Sequence, residues 1–452
     1  IKAKQAIRDA ARVLGLPFSS GDRIAKLMPP MILGNTATIS ECLSLDEENT
    51  SGYSKEFYSA SEELRKQYKN DEEAKQIIDI ALGLEGLRRQ DGIHAAAIVI
   101  SPDTITKFLP IQQKGSNAEI VTQYEMHTVE QLGLLKMDFL GLRNLSIVDR
   151  TLELIGSESL DIDNLKLDDE KTFKLFAEGK MTGVFQLESR VAQSTSRSLK
   201  PKRFEDIVAL VALIRPGPLG AGMHNEFADR ANNRKEIEYL HNDLESILNE
   251  TYGVILYQEQ VMQIAEKIAG FNLQEADNLR VAMGKKIPKV MEEQRKKFTD
   301  GAVSNNYSEQ FAIELFDQIA YFAGYGFNKS HSVPYALLAY QTAYLKANYP
   351  AEYIAACLTA VKRDKDRTAI FLSEARDMGV KVSTPDINLS SSDFTVNDNE
   401  ILFGLSAVRN VGDITADKIV LERESNGHFE SIEDFLSRID SRSLNKRGVE
   451  AL

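Results

Sequence analysis

The run LKMDFLGL at residues 135–142 constrains the fold of this chain most, because it reads as a short strand with polar groups on one face. Side chains alternate along a strand, so Lys136 and Asp138 point the same way. A cation and a carboxylate at the end of a buried strand could together handle a metal ion and a phosphate, as nucleotidyl transfer requires. The alternative is that the two side chains only pair with each other or with solvent.

Strand and helix patterns alternate in the first third of the chain, and helices dominate afterwards. Helical spacing of apolar residues predicts helices over residues 2–14 and 71–89, whereas 94–100 and 133–139 read as buried strands. From Asn144 onward the pattern is helical, with glycines and prolines between helices. A buried stripe is predicted on one of these helices, formed by Tyr335, Leu338, Tyr340, Ala343 and Leu345. Strands flanked by helices indicate an α/β or α+β core.

Composition limits the classes of protein to which the chain can belong. With 452 residues and 43% hydrophobic residues it can form several domains, and it has no apolar run of about 18 residues that could span a membrane. Its two cysteines, Cys42 and Cys357, form no metal-ligand pattern and suggest a reduced, cytoplasmic protein. A helical pattern begins at Ile1 without a capping residue, so we expect a piece of a larger enzyme.

The charge distribution favours one local basic surface. The net charge of −13 argues against a protein that coats nucleic acid. Residues 280–297 nevertheless contain seven basic and two acidic side chains. In RVAMGKK (280–286), Gly284 is expected to interrupt the helix beside Lys285 and Lys286. For residues 289–297 a solvated helix face of mixed charge is the alternative.

The stretch GLSAVRNVGDITADKIVLER at 404–423 resembles a helix-hairpin-helix with Gly412 in the hairpin. A glycine there would let backbone N–H groups approach a DNA phosphate, and we expect a positive φ at this residue. Arg409 and Lys418 are the basic side chains expected beside it. Asn410 stands where such hairpins often have another glycine. A packing hairpin that never meets DNA is the alternative.

Five longer runs follow one another along the chain: TGVFQLES (182–189), ALVALIRPGPL (209–219), YGVILYQEQVMQIA (252–265), RVAMGKK (280–286) and AGYGFNKSHSVPYALLAYQTAYLKANYPAEY (323–353). In this order they resemble the palm and fingers of the bacterial replicative DNA polymerase III alpha subunits, which are C-family DNA polymerases. The resemblance extends from about Lys4 to the C-terminus.

The resemblance favours an α+β fold and implies a nucleotidyltransferase-like (polymerase beta-like) palm remnant with largely helical thumb and fingers. The implied division is palm at 1–17 and 94–143, thumb at 18–93, fingers at 144–390 and the start of a helix-hairpin-helix region at 400–452. The implied activity is template-directed 5′–3′ DNA synthesis during bacterial replication.

The resemblance also implies the catalytic groups. Three palm aspartates of the family hold two Mg²⁺ ions, and two of them lie in an Asp-x-Asp motif upstream of the helix that begins this chain. Only Asp138 matches the third, and the pair Asp161 and Asp163 does not match the family position. Lys136 would approach the nucleotide phosphates or orient Asp138. We therefore expect the chain to be inactive alone.

Nucleotide-binding residues are implied in two places. Arg280, Lys285 and Lys286 would face the incoming triphosphate, although Val281 replaces an arginine that is usual in the family.

The second place is the run of Asn328, Lys329, Ser330 and His331, which would lie near the nucleotide. A P-loop reading of this run fails, because Asn328 occupies a required glycine position and the preceding segment is helical. A structural histidine that caps the following helix remains an alternative for His331.

The implied partners are primer-template DNA, deoxynucleoside triphosphates and, through regions outside this chain, a sliding clamp and other replisome subunits. No membrane contact is expected, and the expected location is the cytoplasm. Two other functions stay open: a DNA-binding module without catalysis, and an error-prone translesion paralogue.

Overall fold

The chain forms two compact units, Ile1–Gly141 and Leu142–Leu452. The computed structural model describes residues 1–452 except 31–35, 45–53, 90–91, 95, 114–118, 157–159, 221, 286–287, 324–325, 441–443 and 445. The fold is mostly helical with small antiparallel sheets. In the described part of the chain, no helix combines the length and the apolar character that a membrane crossing needs.

The first six helices of the first unit pack around one apolar core, and the seventh contributes to a separate, smaller core. They are α1 (Ala3–Val13), α2 (Phe18–Lys26), α3 (Ile39–Leu43), α4 (Ser54–Ser59), α5 (Glu62–Asn70), α6 (Glu72–Leu84) and α7 (Met126–Gln131). Helix α1 buries Ala6, Ile7 and Ala10, whose spacing places them on one face, in the same core as Ile24 of α2 and Ile77 of α6. The predicted helix over 2–14 is confirmed. The second predicted helix begins as expected but ends at Leu84, before residue 89.

The strands of the first unit form two separate pairs. Strand β1 (Ala97–Ile100) pairs antiparallel with β4 (Leu135–Asp138), and β2 (Ile111–Gln113) pairs antiparallel with β3 (Ile120–Thr122). The prediction that the first and last of these strands are buried is wrong. Ile98 is 54% exposed and Leu135 is 56% exposed. A two-stranded ribbon leaves a face in solvent, because nothing among the described residues covers it.

The second unit is built almost entirely from helices. In chain order they are α8 (Arg143–Ile155), α9 (Glu170–Glu178), α10 (Arg190–Leu199), α11 (Phe204–Leu213), α12 (Pro216–Gly220), α13 (Met223–Ala231), α14 (Glu245–Leu248), α15 (Gln258–Ala269), α16 (Leu273–Lys285), α17 (Pro288–Ser304), α18 (Glu309–Ala323), α19 (Lys329–Asn348), α20 (Pro350–Val361), α21 (Lys365–Asp377), α22 (Asp413–Asn426), α23 (Ile432–Arg438) and α24 (Lys446–Val449). Strands β5 (Thr395–Asn397) and β6 (Glu400–Leu402) form an antiparallel pair.

Helices α11 and α19 form the centre of this unit. The continuous apolar run of α11 is buried on every side from Asp206 to Leu213, and α19 packs along it. The Ser332 hydroxyl donates to the Val208 carbonyl (2.9 Å) and fixes the two helices to each other. The predicted stripe on α19 is confirmed, since Tyr340, Ala343 and Leu345 are fully buried.

The helix over the basic run differs from the expectation. Gly284 does not interrupt α16, which continues through it and ends at Lys285. One glycine costs about 1 kcal/mol in a helix interior. Packing of the buried Leu279 and Met283 offsets such a cost at the last turn.

Candidate functional site

Strand β4 carries Lys136 and Asp138 on one face, as predicted. The antiparallel register places Asp138 opposite Ala97 and Lys136 opposite Val99. The Lys136 ammonium donates to both Asp138 carboxylate oxygens at 2.9 Å. This hydrogen bond holds the pKa of Asp138 below its ordinary value. Asp138 is therefore ionised at neutral pH, and its side chain is 49% exposed.

Asp138 has one further possible metal-ligating neighbour, the ring of His94. Its Nδ1 lies 3.8 Å from Asp138 Oδ1. Among the described residues, no group of three His, Cys, Asp or Glu side chains is placed to hold a metal ion. Mg²⁺ needs several oxygen ligands in near-octahedral geometry, so these residues do not form a complete magnesium site. A cavity of about 870 Å³ in the first unit has Lys136 and His94 in its wall.

The residues 328–331 surround the start of α19. Asn328 is the helix cap, because its side-chain oxygen accepts from the His331 backbone N–H (2.9 Å) and from the Ser330 hydroxyl (2.5 Å). The interpretation of His331 as the cap is therefore wrong. An asparagine before the helix can satisfy orphan N–H groups, whereas His331 already lies within the first turn.

Lys329 is held by two glutamates. Its ammonium donates to Glu250 (2.6 Å), and its backbone N–H donates to the Glu259 carboxylate (2.9 and 3.0 Å). Glu259 reaches this place because the Gln258 N–H bonds the Phe327 carbonyl (2.9 Å) and joins the starts of α15 and α19. A carboxylate therefore occupies the positive end of α19.

An aromatic stack borders the same cluster. The His331 ring lies 4.3 Å from the Tyr335 ring and 5.5 Å from the Phe327 ring, measured between centroids. On the Phe327 ring lies the guanidinium of Arg215, 4.1 Å from the centroid. The polar residues 328–331 thus adjoin the cation of Arg215, which the sequence patterns did not predict as a site residue.

Arg280 lies in α16 and forms a pair with Asp277 one turn earlier, at 2.8 Å. It is half-buried, and Val281 beside it supplies no charge. Only the backbone of Lys285 is described, as the last residue of α16, and Lys286 lies outside the described residues. Of the three predicted cations of this run, only Arg280 therefore has a described side chain.

In the hairpin before α22, Asn410 has a left-handed backbone conformation, whereas Gly412 has a backbone conformation open to any residue. Gly412 caps α22 with φ −88°, so the expected positive φ there is wrong. The left-handed residue is Asn410, with φ 65°. Asparagine tolerates this conformation better than most residues, which explains why it can stand at a position usual for glycine.

The surface around the hairpin is accessible to solvent, and it carries both basic and acidic side chains. A Cβ at Gly412 would meet nothing within 4 Å, and Arg409 and Lys418 are exposed. The next residue, Asp413, binds the ammonium of Lys362 (2.5 Å). Ala416 and Ile419 are fully buried, so the second helix is anchored in its own core.

Three residues of this region were not predicted from the sequence: Arg215, Glu250 and Glu259. The glutamates are 70 or more positions from Lys329 in the chain, and no local pattern announces such pairs. Arg215 offered a signal, since it is a lone cation between the apolar run of α11 and two prolines.

Comparisons with known proteins agree with the described architecture. The family model for the bacterial DNA polymerase III alpha NTPase domain matches residues 1–141, and that for the bacterial DNA polymerase III alpha subunit finger domain matches 144–306. A helix-hairpin-helix motif matches 379–452. The first two matches meet at the boundary between the two units. These matches define the class: two domains of the bacterial DNA polymerase III alpha type, followed by a helix-hairpin-helix motif.

Relatives named DNA polymerase III subunit alpha match the chain over its whole length. Those of Thermus aquaticus and Escherichia coli are each 43% identical to it, and that of Buchnera aphidicola is 44% identical. The chain spans 36% to 38% of the length of these relatives. The chain belongs to the bacterial DNA polymerase III alpha family.

Proposed function

We propose that the chain contributes part of the active centre of a template-directed DNA polymerase that extends a primer in the 5′–3′ direction during replication. The observation that carries the proposal is the Lys136 and Asp138 pair on one exposed strand face, in a chain of this family. The substrates are primer-template DNA and deoxynucleoside triphosphates. The cell compartment is the cytoplasm.

In this proposal β1 and β4 belong to a nucleotidyltransferase-like palm, formed by residues 1–17 and 94–143. Asp138 is one ligand of a two-Mg²⁺ centre, whose other aspartates come from outside residues 1–452. Magnesium, when bound, neutralises phosphate charge and activates the primer hydroxyl. Lys136 keeps Asp138 ionised and oriented by the two hydrogen bonds of 2.9 Å. The chain alone is then inactive, because one carboxylate cannot hold two ions.

Residues 18–93 form the thumb and residues 144–390 the fingers in this proposal. Arg280, Lys285 and Lys286 bind the triphosphate through charge-assisted hydrogen bonds. Arg280 already pairs with the Asp277 carboxylate. In this proposal a triphosphate oxygen replaces Asp277 as the acceptor of Arg280.

The cluster of Asn328, Lys329, Ser330 and His331 borders the nucleotide. The carboxylates of Glu250 and Glu259 accept from Lys329 at this corner, which supports the binding of an anionic oxygen there. A triphosphate oxygen can replace such a carboxylate, since both accept the same donors.

Gly412, Arg409 and Lys418 contact duplex DNA in the region 400–452. The open space at Gly412 supports a close approach of the backbone to phosphate. A sliding clamp and other replisome subunits bind through parts of the longer protein outside these residues.

The second candidate is a DNA-binding module without catalysis. The absence of a three-ligand metal cluster among the described residues favours it for the isolated chain. The two candidates differ in what Asp138 does, because a binding module does not require Asp138 as a metal ligand.

Primer extension by a full-length alpha subunit that contains this region tests the proposal. Asp138→Asn removes the charge of a metal ligand, so we expect nucleotide incorporation to fall at least about 100-fold while DNA affinity stays within about twofold. The matched control is Asp163→Asn, at an exposed aspartate of the second unit. Equal incorporation by both variants would refute the ligand role and favour the binding module.

A further inference from the structure

Three of the basic side chains predicted to bind phosphate already have acidic partners. Lys136 pairs with Asp138 (2.9 Å), Arg280 with Asp277 (2.8 Å) and Lys329 with Glu250 (2.6 Å). A phosphate that binds one of them must displace a carboxylate. A cation without such a partner would bind phosphate at a lower cost.

Arg215 is a cation of this kind. It follows the end of α11 and is half-buried, and its guanidinium carbon lies over the Phe327 ring, 4.1 Å from the ring centroid. Within the described ranges, no side chain or carbonyl accepts a hydrogen bond from this guanidinium. Because no described protein group accepts from them, the guanidinium N–H donors remain available to a ligand.

Arg215 also forms part of the wall of a cavity. The cavity has a volume of about 300 Å³ and is bordered by Gln186, Leu187, Val211 and Ile214. Buried Leu187 and Val211 give it an apolar floor. A charge pair formed against such a floor is screened less than one in open water. The volume lies at the lower end of small-ligand sites.

The backbone at this cavity is strained. Gln186 has φ 57°, in the left-handed region that residues with a Cβ rarely adopt. Strain of this kind persists only where the surrounding structure enforces it. Hydrogen bonds hold the segment that precedes Gln186. The buried Lys346 ammonium donates to the Lys180 and Thr182 carbonyls (2.7 and 2.8 Å), and the Phe185 N–H donates to the Thr342 hydroxyl (3.1 Å).

We propose that Arg215 and Gln186 form a phosphate-binding site in the second unit. The guanidinium binds two oxygens of one phosphate as a planar fork, and the Gln186 amide donates a further hydrogen bond. The phosphate belongs to a DNA backbone or to a nucleoside triphosphate, two sources with the same recognition chemistry. The nature of these sources rests on the proposed function, and the site itself rests on the geometry of Arg215.

Binding measurements on the 452-residue chain test the site. The probes are a fluorescein-labelled single-stranded oligonucleotide, followed by anisotropy over a salt series, and dATP, followed by calorimetry. Arg215→Gln should weaken the binding of one probe at least about tenfold. Arg215→Lys should restore little of it, because an ammonium cannot stack and offer a planar fork. The matched control is Arg376→Gln, at an exposed arginine of α21.

The two sources give different results. For a backbone phosphate, the slope of log affinity against log salt decreases by about 0.7 in Arg215→Gln, as expected for one lost contact with a single strand. For a triphosphate, dATP affinity falls and that slope stays the same. If Arg215→Gln binds both probes as Arg376→Gln does, Arg215 is a packing residue and the inference fails. If the wild-type chain binds neither probe, both the inference and the proposed DNA and nucleotide binding of this chain fail.

A measurement on the wild-type chain covers the case in which Arg215→Gln does not fold. Phenylglyoxal modifies accessible arginines, and peptide mass spectrometry reports each site. The oligonucleotide or dATP should slow modification of Arg215 at least about fivefold and leave Arg376 unchanged, because a bound phosphate occupies the reactive N–H groups. Equal modification of Arg215 with and without both probes would overturn the proposal.

Discussion

Two lysine–carboxylate pairs, one in each unit, have nearly the same hydrogen-bond geometry and opposite surroundings. Lys136 and Asp138 meet at 2.9 Å on an exposed strand, and Lys346 and Glu374 meet at 2.7 Å in the interior, where the lysine side chain is 1% exposed. Burial lowers the pKa of Lys346, although Glu374 opposes this change. The interior pair is therefore a structural element, and the exposed pair is accessible to a ligand.

The two pairs are expected to differ most in their contribution to the free energy of unfolding. In Lys346→Met the Glu374 carboxylate and two carbonyls lose their common donor, so we expect the free energy of unfolding of the second unit to fall by about 3 kcal/mol. In Lys136→Met, an exposed pair is lost, and the change should stay below about 0.5 kcal/mol. Urea denaturation of the 452-residue chain measures both. Equal losses would break the distinction between the two pairs.

A smaller effect is expected from Arg280, whose pairing with Asp277 is exposed to solvent. In a full-length alpha subunit, Arg280→Ala should raise the nucleotide KM about tenfold, because it removes a charge-assisted hydrogen bond to the triphosphate. Asp277→Asn should lower the KM, since it removes the competing acceptor. Steady-state primer extension over a range of nucleotide concentrations measures both. A KM that is unchanged in both variants would show that this pair is structural.

The hairpin permits a still smaller test. Asn410→Val places a β-branched residue at φ 65° and should cost about 1 kcal/mol of stability, whereas Asn410→Gly should be tolerated. Gly412→Ser should stay within about 0.5 kcal/mol, because φ is −88° and a Cβ there meets no atom within 4 Å. Thermal unfolding compares the three variants. A larger loss in Gly412→Ser than in Asn410→Val would contradict the backbone assignment.

The smallest expected change is a titration shift. The pKa of Asp138 is lowered chiefly by the Lys136 hydrogen bond, so Lys136→Met should raise it towards the ordinary value. The contribution of this pair to stability is present above the ordinary carboxyl pKa and is lost as pH falls through the lowered one. NMR titration of the Asp138 carboxyl carbon in both proteins measures the shift. An Asp138 pKa that does not move would mean that Lys136 is not its main partner.

Local periodicity predicted much of this fold. Alternation along β4 placed Lys136 and Asp138 on one face, and helical spacing placed Tyr340 and Leu345 in a core. These patterns depend on neighbours in the sequence, so one chain segment contains them completely. The Asp277 partner of Arg280, three residues away, could have been found in the same way.

Other features depended on distant parts of the chain. Whether β4 is buried depends on which segments pair with it and cover it. The local pattern of β4 contains no information about those segments. Glu259 reaches Lys329 only because α15 and α19 begin side by side. The alternative in which His331 caps α19 is wrong, because Asn328 has both the position and the side chain for the cap.

The most direct test of the central claim is single-turnover nucleotide incorporation by a full-length alpha subunit, at a temperature where every variant is folded. Asp138→Asn should reduce the rate at least about 100-fold, because the exposed carboxylate takes part in the chemistry. Glu374→Gln should reduce it less than about threefold, because the interior carboxylate only supports the fold. A loss in Glu374→Gln as large as that in Asp138→Asn, or no loss in Asp138→Asn, would contradict the assignment of the exposed pair to catalysis.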